Sequence, residues 1–574
     1  MPIERAIAGL IAMILFAAAF VAVRRAQRRI GTPVDVLCIF LATWAGTLLL
    51  FAVPVIDYSP MRLEAWLLIY GSIAATGAGC LLAWWRWGSR PAAIDEQQRA
   101  LQATIDPKRL RRLWLVSALL GLAGFAAFVY AVDRVAGWQA VFSDPAAVRT
   151  LKRDSLEFRH AYGFWTLLTY FNQVAFIVWT VGTRMRAFTG RWRVAALLGF
   201  ASLIPFVFTA DRNLMAAALA LACTLHLLWG WRASWRRVAL VLGVGLAGAA
   251  VALTAIGNRY GGSVEDHPEV AAHLTTPALE AVAIPYLYLT ANLPTFGALT
   301  QDGLAPRTAG QMTVLPAVKA AARAGLIDTA PVETGVFYPI PFETFSNYSW
   351  LGSFWLDFRV PGVLLLPLLV GFAATTARLR LVARPTFLGL WTAAILLYVV
   401  VYSPLANVLS TSLTWEYMLL GPVMAVVLDP TMSRRALARL RASPKLAGAA
   451  GTAALAVAAG LLLVATSSTR APRTIVGATA LRDALAKARY VYGREGRYPI
   501  PLGLATRLGV NRPDVPFRPQ TTYTEPLPGA GIVAVYTQPN DVFLRVEAGD
   551  GRVYEVHRTE EDGGITYGPG TRDR

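Results

Sequence analysis

Arg149, Lys152, Arg153 and Arg159 crowd one polar stretch of the chain, Arg212 follows Asp211 between two apolar runs, and Arg259 closes another. A guanidinium is planar, keeps its charge and offers paired donors, so arginines set at such boundaries match a phosphate. Carboxylates near them in sequence are Glu265, Asp266, Glu343 and Asp357, with His160, His267 and His273 as further proton carriers. Any of these suits a general base toward a hydroxyl, since that role needs only a positioned group of suitable pKa. Glu343 is preferred, because Pro341-Phe342-Glu343-Thr344-Phe345 gives it an apolar setting that favours proton uptake. Plainer roles stand beside these. Arg212 can pair with Asp211 or snorkel to the interface, residues 149–159 can form a solvated helix face paired with Asp154 and Glu157, and Glu343 can cap a helix or pair with an arginine.

Metal chemistry finds no support in the sequence, which has no HExxH, Walker A, paired CxxC or DxD pattern. Gly243, Gly245 and Gly248 spell GxGxxG, but inside an apolar stretch, where small residues serve helix packing. Cys38, Cys80, Cys223 and His226 also lie within apolar stretches and read as interior residues. No metal and no cofactor is expected.

The elements that must position these residues are membrane spans. Of the 574 residues 55% are hydrophobic and 16% charged, against about 25% charged in a soluble domain. Apolar runs such as Ala6 to Val23, Leu113 to Val132 and Val238 to Ile256 carry no charge and are long enough to cross a hydrocarbon core of about 30 Å. The expected fold class is an all-α polytopic membrane protein with about 12 spans, near 6–23, 34–53, 64–85, 113–132, 164–182, 194–210, 213–230, 238–257, 353–376, 386–407, 414–428 and 446–466. The first run reads as a retained helix and not a signal peptide, because its basic cluster Arg24 to Arg29 follows it.

A net charge of +19 raises the possibility of nucleic acid, but the arginines and lysines gather in short clusters between the spans. Placing the clusters Arg24 to Arg29, Arg86 to Arg112, Arg184 to Arg193, Arg232 to Arg237, Arg378 to Arg384 and Arg434 to Lys445 in the cytoplasm makes all of them agree. The N-terminus then lies outside, as do long loops at 133–163 and 258–349. Exported loops are normally poor in arginine, so Arg149, Lys152, Arg153, Arg159, Arg212 and Arg259 stand out as a site. Leu279 to Phe296, with Tyr286 and Tyr288, and Val332 to Trp355 read as interfacial or re-entrant pieces of the larger loop.

Residues 1–466 thus form a polytopic transmembrane domain, and 470–574 a small extracytoplasmic α+β domain. In the latter, Thr479 to Tyr492 predicts an amphipathic helix. Gly531 to Thr537, Asp541 to Glu547 and Arg552 to His557 predict strands, the last two joined by a hairpin at Gly549-Asp550-Gly551.

Four segments carry a resemblance. They are the turn Phe208-Thr209-Ala210-Asp211-Arg212-Asn213, the exit Asn258-Arg259-Tyr260-Gly261-Gly262, the helix Tyr286-Leu287-Tyr288-Leu289-Thr290-Ala291-Asn292-Leu293-Pro294-Thr295-Phe296, and Trp355-Leu356-Asp357-Phe358-Arg359-Val360-Pro361-Gly362. Together they resemble the bacterial oligosaccharide repeat unit polymerases, the O-antigen polymerases of the Wzy type, over about residues 110–430. Ala210 and Arg359 depart from glycines of that pattern, and the C-terminal domain is not a standard part of the family.

The resemblance implies a metal-independent membrane glycosyltransferase in the bacterial cytoplasmic membrane. It would join polyprenyl-pyrophosphate-linked oligosaccharide repeat units into a surface polysaccharide at the outer face. Arg212, Arg259 and Glu343 would then be catalytic, and Arg149, Arg153, Tyr260, Tyr288 and Asp357 would bind substrate. Partners would be the lipid-linked oligosaccharide, membrane lipids, and a flippase and chain-length regulator of the same pathway, with no nucleic acid. An O-antigen ligase, another glycosyltransferase using lipid-linked sugars, and a lipid-glycan flippase are the alternatives.

Overall fold

The computed structural model describes residues 2–32, 34–88, 94–143, 148, 166–189, 199–208, 212–229, 270, 273–301, 308–323, 338–339, 344–345, 349–434, 438, 504–505, 517–520, 532–538, 541–547, 553–559 and 565–570. These residues are mostly helical, with a small sheet toward the C-terminus. The longer helices begin with α1 (Pro2–Ile30), α2 (Val36–Ala52), α3 (Leu63–Trp87), α4 (Ile94–Thr104), α5 (Pro107–Ala136), α6 (Phe171–Arg184) and α7 (Arg212–Leu228). There follow α8 (Glu280–Thr290), α9 (Asn292–Gln301), α10 (Leu315–Arg323), α11 (Ser349–Ala383), α12 (Phe387–Tyr402) and α13 (Ser412–Leu428).

Among the described residues four helices, α1, α3, α5 and α11, are long and apolar enough to cross a membrane, while α2, α7, α12 and α13 are apolar but shorter. On α1 the outward face carries Ile7, Leu10, Met13, Ile14, Phe20 and Val21, all exposed. A helix that is apolar on its outer face finds its match in lipid. The expected spans at 238–257 and 446–466 lie outside the described residues, and of 194–210 only residues 199–208 are described, as a short 3-10 turn running into a short helix.

Close packing follows from small residues. A side chain on Gly79 of α3 would strike the Leu368 carbonyl of α11, and one on Gly371 of α11 would strike the Thr76 carbonyl of α3. Lipid offers no hydrophobic drive between helices, so this near contact of backbones supplies the attraction. Indole groups stitch other pairs: Trp44 Nε1 of α2 donates to Ser403 Oγ at 2.9 Å, and Trp391 Nε1 of α12 donates to the Tyr417 carbonyl of α13 at 2.7 Å.

Basic residues from several helices gather at one end of this bundle. Arg25 lies over Trp84 and Arg380 over Trp87, while Arg184 donates to the His226 carbonyl at 3.3 Å and Arg109 to the Val427 carbonyl at 3.3 Å. These contacts bring together the C-terminal ends of α1, α3, α6, α7, α11 and α13 with the start of α5. The stretch 86–112, expected as a loop, holds α4, which buries Gln97 and Leu101.

Before α11 two short strands, β1 (Tyr338–Pro339) and β2 (Thr344–Phe345), pair antiparallel. The C-terminal sheet has the order β3 (Phe517–Pro519), β4 (Val533–Gln538), β5 (Asp541–Glu547), β6 (Val553–Thr559) and β7 (Ile565–Gly570), parallel between β3 and β4 and antiparallel thereafter. Val542, Leu544 and Val546 alternate into the interior of β5, as the period-two pattern requires. Glu547 faces Val553 in register, so β5 and β6 form the expected hairpin. The predicted helix at 479–492 lies outside the described residues.

Candidate functional site

The end of the bundle away from the basic residues is built from loop 53–62, α8, α9, the turns at 308–314 and the first part of α11. Loop 53–62 is held on both sides. The Asp57 amide donates to the His273 carbonyl at 2.9 Å, the Thr275 amide to the Val55 carbonyl at 3.1 Å, and Tyr286 Oη of α8 to the Val53 carbonyl at 2.8 Å. Phe51, Tyr58 and Tyr286 stack in a column with centroids 6.0 and 6.3 Å apart. Tyr58 Oη sits 2.8 Å from Thr290 Oγ1, and burial pushes its phenol up, so it stays neutral. Helices α8 and α9 are joined at Ala291, and Pro294 explains the break, since its nitrogen has no hydrogen for the Thr290 carbonyl.

Asp357 is the hub of this end. Its carboxylate is 4% exposed and accepts four hydrogen bonds. Oδ1 takes Thr308 Oγ1 and, at 2.9 Å, the Met312 amide; Oδ2 takes the Thr313 amide at 2.8 Å and Thr313 Oγ1 at 2.6 Å. The Thr308 amide returns a bond to the Leu356 carbonyl at 3.0 Å. Charged acceptors make such bonds strong, so Asp357 anchors the turns that lead into α10. Both of its oxygens are engaged within the fold.

Two residues later α11 breaks. Arg359 has φ 57° and ψ −140°, close to a conformation that only glycine adopts freely. The surrounding sequence enforces it. Pro361 has no amide hydrogen to lose and suits the first turn of the continuing helix, and Gly362 lacks the side chain that would strike the Phe354 carbonyl. The Arg359 guanidinium lies 5.4 Å from the centre of the Trp355 ring, at partial exposure. An arginine held where glycine is favoured costs about 1–3 kcal/mol, and such strain gathers at ligand clamps and switch regions.

The other expected residues fall as follows. Arg212 opens α7 with its main chain. Tyr288 projects from α8 at 43% exposure, and its carbonyl accepts from Asn292 Nδ2 at 3.3 Å. Arg149, Arg153, Arg259, Tyr260 and Glu343 lie outside the described residues, although β2 begins directly after Glu343. Tyr288 and Asp357 therefore sit on two different elements of the same end. Arg359 was noted in the sequence as a departure from a glycine and not as a site residue, and an Arg5–Asp57 ion pair on α1 and loop 53–62 was not singled out. The signal for Arg359 was there, in a basic residue replacing a glycine before Val360-Pro361-Gly362. Among the described residues no group of three or more His, Cys, Asp or Glu is placed to hold a metal ion. Set against family models, curated proteins and solved structures, the chain finds no match in any of the three comparisons.

Proposed function

We propose that this protein polymerises polyprenyl-pyrophosphate-linked oligosaccharide repeat units at the outer face of the bacterial cytoplasmic membrane. The observation that carries the reading is Arg359, a cation held in a costly backbone conformation at the end of the bundle opposite the basic clusters. Positive charge retained on the side that should shed it calls for an anionic ligand there. The family resemblance of the segments around Arg212, Arg259, Tyr288 and Asp357 supplies the identity of that ligand, a lipid pyrophosphate bearing sugars.

In this scheme the hydroxyl at the non-reducing end of a new repeat unit attacks the anomeric carbon of the growing chain. The carbon–oxygen bond to pyrophosphate breaks, and polyprenyl pyrophosphate leaves with the bonding pair. Arg212 and Arg259 hold the leaving group and stabilise its growing charge, work best done by donors fixed in advance. Arg149 and Arg153 grip a donor or acceptor phosphate, and Tyr260 and Tyr288 offer aromatic faces to sugar rings. Glu343, or a neighbouring histidine, takes the hydroxyl proton. Asp357 acts at one remove, by fixing the turns before α10. The N-terminus and the C-terminal sheet lie outside the cell membrane, and a flippase and a chain-length regulator work alongside.

The test is a deletion strain complemented with Arg212→Ala or Arg259→Ala. Loss of one such donor lowers the rate about 100-fold, so single repeat units collect on their lipid and polymer shortens. Unchanged polymer length and yield would remove both arginines from the site. Free polymer left unattached in the deletion strain identifies a ligase instead, and lipid translocation in liposomes without glycan product identifies a flippase.

A further inference from the structure

A groove of about 740 Å³ runs between α1 and α2 on the outer surface of the bundle. Its floor is made of small residues, Ala6 and Gly9 on α1 and Ala52 on α2, and its flanks of Leu10, Met13 and Leu49, all three exposed. Positions 6, 9, 10 and 13 repeat at helical spacing, so the groove follows one stripe of α1 for about two turns. Arg5 and Asp57 close it at the end away from the basic clusters.

The two charged residues there are unequal. Arg5 is 9% exposed. Its Nη2 donates to the Ile56 carbonyl at 2.7 Å and lies 3.5 Å from Asp57 Oδ1, while its Nε is buried with no partner among the described residues. Asp57 is 63% exposed on its side chain. Both side chains line the groove, so a headgroup seated there meets the two charges together. Apolar walls facing lipid take an acyl chain. The charged end presents one cation and one anion side by side, so a headgroup with a single net negative charge, or a pyrophosphate, meets Asp57 at a penalty. A headgroup carrying a phosphate and an ammonium meets both.

We infer that the groove between α1 and α2 binds one ethanolamine phospholipid, with its phosphate on Arg5, its ammonium on Asp57 and an acyl chain along Leu10, Met13 and Leu49. The site is separate from the polymerisation residues and does not rest on that reading. The start of α1 is then tied to loop 53–62 through the lipid as well as through Ile56.

The full chain, purified in detergent and offered equal amounts of phosphatidylethanolamine and phosphatidylglycerol, is read by native mass spectrometry. The wild type retains the ethanolamine lipid in preference. Asp57→Asn keeps a lipid adduct but loses the preference, by about tenfold for one charge-assisted bond, and Arg5→Gln loses the adduct. Gly9→Leu fills the groove while leaving both charges in place, and it also loses the adduct at an unchanged unfolding temperature. Equal retention of the two lipids by the wild type, or an adduct untouched by Asp57→Asn and Gly9→Leu, overturns the proposal. So does displacement of the ethanolamine lipid by a polyprenyl phosphate. Polymer assays do not enter any arm, so the site stands or falls apart from the proposed activity.

Discussion

Arg359 and Arg378 lie on the same helix, α11, and are put to opposite uses at its two ends. Arg378, at the basic end, is 0% exposed. Its Nε reaches the Val34 carbonyl at 3.4 Å and its Nη1 the Leu228 carbonyl at 3.3 Å, so it caps the C-terminus of α7, with Asp35 as its nearby counter-charge. Arg359 instead sits partly buried on a break in the helix, over one face of Trp355, with its Nη1 shielded from solvent. The first guanidinium joins α11 to the start of α2 and the end of α7. The second is held where the backbone resists it, next to a turn system fixed by Asp357. The same side chain thus ties helices together at one end and sits on a strained turn at the other.

The comparison can be broken most directly at Arg378. Arg378→Ala strands the buried Asp35 and uncaps α7, and such a loss costs about 3–5 kcal/mol. We expect a broad, early-eluting profile in size-exclusion chromatography and a sharply lower unfolding temperature; a monodisperse variant of wild-type stability would show the stitch to be dispensable. Asp357→Ala comes next. It leaves the buried Met312 amide unmet and cancels three further bonds, a loss of about 2–3 kcal/mol. Its signature is faster limited proteolysis within residues 308–323, with the rest of the bundle resisting as before. The smallest effect, and the sharpest, is at Arg359. Glycine there relieves the backbone and alanine does not, so Arg359→Gly should be more stable than Arg359→Ala by about 1–2 kcal/mol. Both variants should lose polymer in the complemented strain. Full polymer from Arg359→Gly would make the position a matter of folding alone.

Hydropathy made most of this architecture readable. Apolar runs of span length mark the cores of α1, α3, α5 and α11, and basic clusters mark the end at which they converge, because both signals depend on composition over many residues. Strand β5 occupies residues 541–547 as expected, a largely apolar run whose buried positions, Val542, Leu544 and Val546, alternate. Strands β3 and β7 were not expected. Both are short and contain proline, Pro519 and Pro569, which argues locally against a strand. Asp357 was singled out, yet its four partners at 308–313 are remote in sequence, so its anchoring role required the fold. Likewise nothing in the composition of α1 tells Arg5 from an ordinary topological anchor. Its buried Nε and the adjoining groove exist only once α1 and α2 are packed.

The two prolines bear on how copies of this chain meet. Among the described residues, strands β3 and β7 form the rims of the C-terminal sheet, and each carries a residue with no amide hydrogen to offer a passing strand. Open rims invite neighbouring copies to zip together. Proline at each rim withholds part of the ladder such zipping needs. Each rim is thereby a poorer template for the sheet of a second copy.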